Sequence, residues 1–204
     1  MKRCWLISTV CLLVWFATPA EAQTPQRKAS LSYGVEWGYT STLMHVYHHN
    51  YIADEGYRVD INGIEACYNS NGQILGHIGV NAWDRYTFSV YSGYIGIKQE
   101  RHVIPLTVRA TYFFRSYHED GYMAFIENGI GIHDEAHNTY LGKFGTGYRL
   151  SLSPKLNMDL MLSLQLADDH PTLYDPEDQE IPKEDLRRND STYGAINFMI
   201  AITF

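Results

Sequence analysis

Apolar and polar residues alternate along most of the chain from Ser30 to the C-terminus. Because successive side chains of a β-strand point to opposite faces, a period of two predicts strands with one apolar and one polar face. The stretch from His102 to Arg115 shows the pattern most clearly. Its apolar face consists of Ile104, Leu106, Val108, Ala110, Tyr112 and Phe114. The chain is therefore predicted to be an all-β protein.

The polar faces of these strands decide between a soluble fold and a membrane fold. They carry charged residues and glycines at mid-strand positions, such as Glu36 and Gly38 in the first strand. In a membrane barrel the apolar face meets lipid, the polar face lines the interior, and aromatic residues form a girdle at each interface. The chain has 16 tyrosines that suit such girdles. The pattern favours a closed antiparallel transmembrane β-barrel.

Turn-forming segments divide the pattern into eight strands. The short turns then all lie at one end of the barrel, at 84–85, 117–120 and 153–155. The connections at the other end include both long ones, and they are 41–72, 98–101, 134–138 and 168–191. Short turns at one end and longer loops at the other are typical of membrane barrels.

A ten-stranded barrel is the alternative. It would pair a strand at 43–52 with another at 57–68. Its successive strands would also end alternately on the two sides of the membrane. We rank it second because its extra strands would turn polar side chains toward lipid, which is costly. Those side chains are His48 or His49, and Glu65 or Asp60.

The N-terminus has the features of a secretory signal peptide. Two basic residues are followed by an apolar stretch from Trp5 to Phe16 and by the small residues Ala20 and Ala22 around a cleavage point. The apolar stretch is shorter than the roughly 20 residues that a transmembrane helix needs. We therefore predict an exported protein with a signal peptide at 1–22 and a barrel domain at 23–204.

The charge of the chain argues against nucleic acid as a partner. The whole chain has 16 basic and 23 acidic residues. Cleavage after residue 22 would remove two basic residues and one acidic residue, which leaves 14 minus 22, a net charge of −8. Nucleic-acid-binding surfaces are basic. Cys67 would be the one remaining cysteine, so an internal disulfide cannot form, and the reactivity of its thiol stays open.

The C-terminal strand, 193–204, alternates down to a terminal aromatic residue. Its outward face toward the terminus would hold Phe198, Ile200, Ile202 and Phe204. Together with the export signal and the alternating strands, this ending resembles the small outer-membrane β-barrel proteins of Gram-negative bacteria. The resemblance implies a location in the cell outer membrane, contact with outer-membrane lipids, and recognition of the last strand by the barrel assembly machinery.

Two shorter motifs carry a second, narrower resemblance. They are Ile104-Pro105-Leu106 and Gly147-Tyr148-Arg149. Both are similar to segments of uncharacterised barrels from Bacteroidetes. This resemblance implies no function.

The polar faces hold three acidic and three basic residues, namely Glu36, Arg109, Glu127, Lys143, Arg149 and Asp159. A closed interior of low dielectric tolerates such charges only if they are paired. Arg109 and Glu127 are equally distant from a turn, as are Arg149 and Asp159, so each pair should face across adjacent strands. We predict a salt-bridged plug inside the barrel, with a functional polar path as the alternative.

The predicted function is non-enzymatic and needs no cofactor. The long outer loops at about 41–72 and 168–191 would serve binding or surface structure, and the extracellular ligand stays open. The alternative is an outer-membrane enzyme that acts on lipid or peptide at the outer rim. Its candidates, Asp168, Asp169 and His170, are similar to the Asp-x-His half of the omptin proteases. The other half of that arrangement, an Asp-x-Asp pair, is absent from the sequence.

Three histidines, His45, His48 and His49, cluster in the first predicted outer loop. Imidazole nitrogens are common ligands of transition metals. No cysteine or carboxylate stands at a fixed spacing that would complete a metal site with them. The cluster is therefore predicted to be part of an exposed polar loop that holds no metal.

Overall fold

A computed structural model describes residues 29–53, 56–98, 101–133, 138–174, 180–182 and 184–204. Its eight strands are β1 (Ser30–Ile52), β2 (Arg58–Ala82), β3 (Tyr86–Lys98), β4 (Arg101–Phe113), β5 (Gly121–Ile132), β6 (Thr139–Ser153), β7 (Leu156–Asp169) and β8 (Leu186–Thr203). Each strand pairs with its sequence neighbours, and β8 pairs with β1 to close the ring. The prediction of a closed antiparallel barrel with eight strands is confirmed. The predicted signal peptide lies outside the described residues.

The side chains alternate between the outside and the inside of the barrel as the sequence pattern predicts. On β7, Leu164 is 61% exposed, while its neighbours Ser163 and Gln165 are buried inside. Every strand carries exposed apolar residues on its outer side, for example Val35, Ile78, Val90, Val108, Ile126, Phe144, Leu162 and Phe198. Soluble monomers rarely expose a continuous apolar surface of this extent. Among the described residues, none belongs to a helix that is long and apolar enough to cross a membrane.

Short turns join the strands at one end of the barrel, which we call the turn end. They lie between Ala82 and Tyr86, between Phe113 and Gly121, and between Ser153 and Leu156. All three were predicted from turn-forming residues. Because such short connections join only antiparallel neighbours, they fix the register of three hairpins.

The opposite end differs from the sequence prediction. The segment 41–72 is not a loop, because β1 continues to Ile52 and β2 begins at Arg58, and the two remain paired along this length. The connection predicted at 168–191 is also shorter in the structure than in the prediction, because β7 ends at Asp169 and β8 begins at Leu186. The physical reason is that strands with water on both faces need no apolar face, so the two-residue apolar period disappears.

The extended strands form a three-stranded sheet that projects beyond the ring. We call it the tongue and define it as residues 44–52 of β1, 58–66 of β2 and 186–192 of β8. The ten-strand alternative identified the correct contact, because Tyr47 is the register partner of Gly63. It was wrong about the strand number, since these segments continue β1 and β2.

A β-bulge separates the barrel wall from the tongue. The register of β1 shifts between Thr42 and Met44 against both of its neighbours. Below the shift, even-numbered residues of β1 such as Glu36 face the interior, and above it odd-numbered residues such as His45 do so. An extra residue in one strand reverses the facing of all later side chains. The bulge therefore decides which side chains of the tongue face the barrel mouth.

The C-terminus closes the ring at the turn end. The backbone N–H of Phe204 donates to the carbonyl of Tyr33 at 2.8 Å, and the two aromatic rings stack with centroids 5.6 Å apart. Phe198, Ile200 and Ile202 lie on the outer face of the same strand. The predicted closed barrel is therefore completed by the pairing of the last strand with the first.

We expect Gly93→Ala to destabilise the barrel strongly. Gly93 has a φ of 155°, and a Cβ there would clash with the carbonyl oxygen of Ile74 on β2. Strained backbone of this kind costs on the order of 1–3 kcal/mol, and the clash adds to it. Urea unfolding of the refolded protein measures the loss. Gly76→Ala is the matched control, since its Cβ would meet nothing closer than 3.9 Å, and equal losses in both variants would contradict the explanation.

Candidate functional site

The barrel interior is filled by alternating apolar and charged side chains. Near the tongue, one buried apolar cluster consists of Leu75, Tyr91, Ile95, Ile97, Val103, Leu141, Ala167 and Tyr193. Near the turn end, a second cluster consists of Phe113, Tyr117, Met123, Phe125, Met161, Met199 and Ala201. The six charged residues that the sequence predicted inside the barrel lie between and below these clusters. An eight-stranded barrel leaves an interior just wide enough for such side chains.

Arg109 on β4 lies at the centre of the interior and is 2% exposed. Its guanidinium binds Glu36 on β1 through two contacts, Nη1–Oε2 at 2.7 Å and Nη2–Oε1 at 3.2 Å. It also donates from Nε to Glu127 Oε2 on β5 at 2.8 Å. The rings of Tyr91 and Phe125 lie against it, with centroids 4.0 and 4.5 Å from Cζ. Since β1 and β4 are three strands apart in the ring, the Glu36 contact crosses the lumen.

Glu127 connects Arg109 to the remaining charge of this group. Its Oε1 accepts a hydrogen bond from Thr107 Oγ1 at 2.7 Å and lies 3.7 Å from Lys143 Nζ. Lys143 in turn donates to Gln73 Oε1 at 3.3 Å. The two carboxylates and two cations therefore form one buried network that is neutral in sum. Charge-assisted hydrogen bonds of this kind are the strong ones in proteins.

Arg149 and Asp159 form a second ion pair near the turn end. The guanidinium binds both carboxylate oxygens, with Nε–Oδ1 at 2.7 Å and Nη2–Oδ2 at 2.6 Å. Its Nη1 donates to the carbonyl of Tyr117 at 3.0 Å, and the ring of Phe113 lies against it. The structure thus places all six charged residues of the predicted plug inside the barrel. It pairs Arg109 with Glu127 and Arg149 with Asp159.

One interior ion pair and one interior contact were not predicted from the sequence. Arg101 on β4 and Asp169 on β7 form an ion pair near the tongue, and Thr139 donates to Asp169 at 2.9 Å. Asp169 and Asp159 are both odd-numbered residues of β7. Period-two alternation could therefore have predicted from the sequence that Asp169 also faces the interior. The contact between Glu36 and Arg109 had no such signal, because no short turn connects β1 to β4.

The three candidate residues for rim catalysis do not form one site. Asp168 is on the outer face of β7 and accepts a hydrogen bond from Thr192 at 3.0 Å. Asp169 is fully buried inside the barrel, in the ion pair described above. The ring of His170 contacts the backbone carbonyl of Asn189. Adjacent strand residues point to opposite faces, so the two carboxylates cannot act on a common substrate from these positions.

The tongue histidines are also divided between two faces. His45 and His49 lie on the inner face, where His45 stacks on Tyr193 and His49 on Tyr47, with centroids 4.5 and 5.5 Å apart. His48 lies on the outer face and binds Asp60 Oδ1 at 2.9 Å. Within the described ranges, no group of three or more His, Cys, Asp or Glu side chains has the geometry to hold a metal ion.

The inner face of the tongue is a row of aromatic rings with polar partners. Partial burial lowers the pKa of both His45 and His49, so neutral imidazoles are favoured there at pH 7. The hydroxyl of Tyr47 donates to Glu65 at 3.0 Å, and this hydrogen bond raises the pKa of the tyrosine. Cys67, half-buried on β2, has its Sγ 4.0 Å from the carbonyl oxygen of Thr42. The stacked aromatic rings of the inner face form a rigid surface at the mouth of the barrel.

Comparisons with known proteins give structural likenesses only. No protein-family profile and no curated protein matches the chain. Neisserial surface protein A is 8% identical, with 87% of this chain and 100% of that chain covered and a TM-score of 0.43. The outer-membrane protein OprG from Pseudomonas aeruginosa is 9% identical, with 85% and 95% covered and a TM-score of 0.48. The outer-membrane protease OmpT from Escherichia coli is 9% identical, with 90% and 99% covered and a TM-score of 0.42.

Because every one of these TM-scores is below 0.5, we draw nothing about this chain's function from them. The narrower resemblance to Bacteroidetes barrels stays a prediction.

We expect Arg109→Met to lower the free energy of unfolding by about 3–5 kcal/mol, because it leaves buried carboxylates unpaired. The double variant Glu36→Gln/Arg109→Met should recover most of that loss, since Glu127 and Lys143 then still balance each other. Urea titration of the refolded barrel measures both. A single variant that is no less stable than the double variant would show that the pairing is not needed.

Proposed function

We propose that the chain is an integral outer-membrane barrel with a sealed interior, which uses the tongue as a binding surface outside the membrane. The observation that carries the sealed interior is the buried contact of Arg109 with Glu36, which spans the lumen at 2.7 Å. Around it, the described interior has a void of about 20 Å³ beside Arg109, His77 and Asp159. That volume holds about one water molecule. A continuous water path would need these ion pairs to separate.

The outer surface supports the membrane location. Exposed aromatic residues collect at the turn end, where they include Tyr33, Trp83, Phe114, Tyr122 and Phe204. Others collect near the tongue, where they include Tyr39, Tyr68, Tyr94 and Tyr140. Between the two groups the outward residues are mostly aliphatic. Two aromatic girdles around an apolar band are the surface of a barrel in a lipid bilayer.

The last strand supports recognition by the barrel assembly machinery. Its outward residues Phe198, Ile200, Ile202 and Phe204 form an apolar row that ends at the barrel rim. In the closed barrel the backbone of this strand pairs with both β1 and β7. Before closure, the β1 side of β8 would be an open edge, and an open edge is a template for pairing with another chain.

Binding is better supported than catalysis. The enzyme alternative relied on Asp168, Asp169 and His170, and the structure separates the two carboxylates. The tongue instead provides a paired, three-stranded support whose inner and outer faces both carry exposed polar groups. Side chains on paired strands are held more firmly than side chains on loops. We therefore propose a non-enzymatic role, with the tongue in place of the long loops as the binding element.

The parent protein should fractionate with the outer membrane and change its migration on gels after heating. Leu162→Arg, in the middle of the apolar band and 53% exposed in the parent, should lower barrel stability by about 2–4 kcal/mol in vesicles. Ile61→Arg is the matched control, because Ile61 is 48% exposed but lies on the tongue. A parent that stays soluble in the periplasm, or equal effects of both substitutions, would disprove the membrane location.

The sealed interior has its own test in planar lipid bilayers. We expect the purified parent to give no stable unitary conductance, since the charged network closes the lumen. A channel-forming porin reconstituted in the same lipid serves as the positive control. Stable conductance steps from the parent would contradict the sealed interior while leaving the membrane location intact.

A further inference from the structure

A groove of about 570 Å³ crosses the outer face of the tongue. Its side chains stand in rows that follow the strand register. The first row is Ile64, Val46, Thr192 and Asp168, taken from β2, β1, β8 and β7 in turn. The second row is Asn62, His48 and Asp190, and Arg188 follows beyond it. We call this the outer groove. Its volume is in the range of small-ligand sites.

The outer groove has an apolar floor and a mixed polar rim. Val46 and Ile64 supply the floor, and Ile64 is 75% exposed. The polar groups are engaged with neighbours and keep further bonding capacity. Asp168 accepts from Thr192 at 3.0 Å, although a carboxylate can accept about four hydrogen bonds. Asp190 accepts from Arg188 Nε at 2.6 Å, and a guanidinium has several further donors.

The outer groove begins where the apolar band ends. On β7 the outward residues Leu164 and Leu166 are 61% and 55% exposed, and the next outward residue is Asp168. On β8 the outward residues change from Phe198 and Ile196 to Thr192 over the same height. The change from apolar to polar side chains marks the boundary between hydrocarbon and headgroup regions. The groove therefore opens just outside the bilayer, beside the lipid surface.

The chemistry of the groove selects among ligands. Two carboxylates against one guanidinium disfavour a strongly anionic ligand such as a bare phosphate. A wholly apolar ligand would bury the polar rim without hydrogen bonds, which is costly. A saccharide avoids both problems, because each hydroxyl can donate to a carboxylate and accept from a guanidinium, imidazole or amide. The C–H face of a sugar ring would cover Val46 and Ile64.

We propose that the outer groove binds sugar units of the glycan that covers the outer surface of the membrane. The proposal rests on the proposed membrane location, since that location is what brings the groove next to surface glycan. Val46 and Ile64 support one sugar ring. Asp168, Asp190 and Arg188 bind its hydroxyls. The sugar can be part of a glycolipid or of a free polysaccharide, and the chemistry in the groove is the same.

The test uses three probes with the detergent-solubilised full barrel. They are lipopolysaccharide with its core saccharide, lipid A without that saccharide, and the core oligosaccharide released from its lipid. Asn62→Trp fills the groove, and Ile61→Trp is its matched control on the opposite face of the same strand. Asp168→Asn removes a charge from the groove, and Glu65→Gln does the same on the inner face. Heat-modifiable migration verifies that each variant is folded.

We expect Asn62→Trp to weaken binding of the core saccharide by about tenfold or more, and Asp168→Asn by about threefold to tenfold, as expected for the loss of one or two hydrogen bonds. Both controls should stay within about twofold of the parent. Binding of the released oligosaccharide would indicate that sugar alone suffices. Groove-dependent binding of lipopolysaccharide alone would indicate a lipid-linked sugar.

Two results would overturn the proposal. The first is that Asn62→Trp weakens the binding of neither sugar-bearing probe more than Ile61→Trp does. The second is that lipid A binds as tightly as complete lipopolysaccharide, which would assign binding to the apolar band. Failure of the groove is distinguishable from failure of the membrane location. A barrel that fractionates with the outer membrane but binds no sugar contradicts the groove alone.

Discussion

The ion pairs of the Arg109 guanidinium are the interaction on which the packing of the barrel interior depends. It is buried at the centre of the lumen and is held by carboxylates from β1 and β5, while Lys143 balances the second carboxylate. A buried charge without a partner costs several kcal/mol, so these side chains must keep one arrangement. That arrangement connects opposite walls of the ring and fills the space that water would otherwise occupy. The apolar clusters above and below pack against a fixed layer.

The barrel reverses the usual distribution of polarity, and this reversal explains where functional chemistry can lie. Most polar side chains of the wall strands lie inside, where the charged ones form ion pairs and hydrogen bonds with one another. The outer face of each wall strand consists mainly of apolar side chains, which contact the medium around the barrel. Among the described strands, only the tongue projects beyond the ring with both faces open to water, and histidines, carboxylates and amides are exposed there. The binding function that we propose therefore lies at the tongue, whose paired strands hold these groups in fixed rows.

Two faces of the tongue offer different surfaces. The inner face is a row of stacked aromatic rings that leads to the barrel mouth. The outer face holds a groove with an apolar floor and a mixed polar rim next to the apolar band. Strand alternation separates His45 and His49 from His48, and the bulge between Thr42 and Met44 decides that His45 and His49 face inward. Residues that are neighbours in the sequence thus serve separate surfaces.

The sequence by itself determined the eight strands of the wall, the three short turns, and two ion pairs across hairpins. These features are local, since period-two alternation and a short turn fix both the facing and the register of adjacent strands. Only the tertiary structure decided the rest. Glu36 meets Arg109 because ring closure brings β1 opposite β4. Asp169 meets Arg101 because the closed ring also brings β7 opposite β4 across the lumen. The preferred interpretation took the tongue for a loop, because strands with water on both faces lose the apolar period, and only the ten-strand alternative paired its segments. The contact of Phe204 with Tyr33 depends on the closed ring.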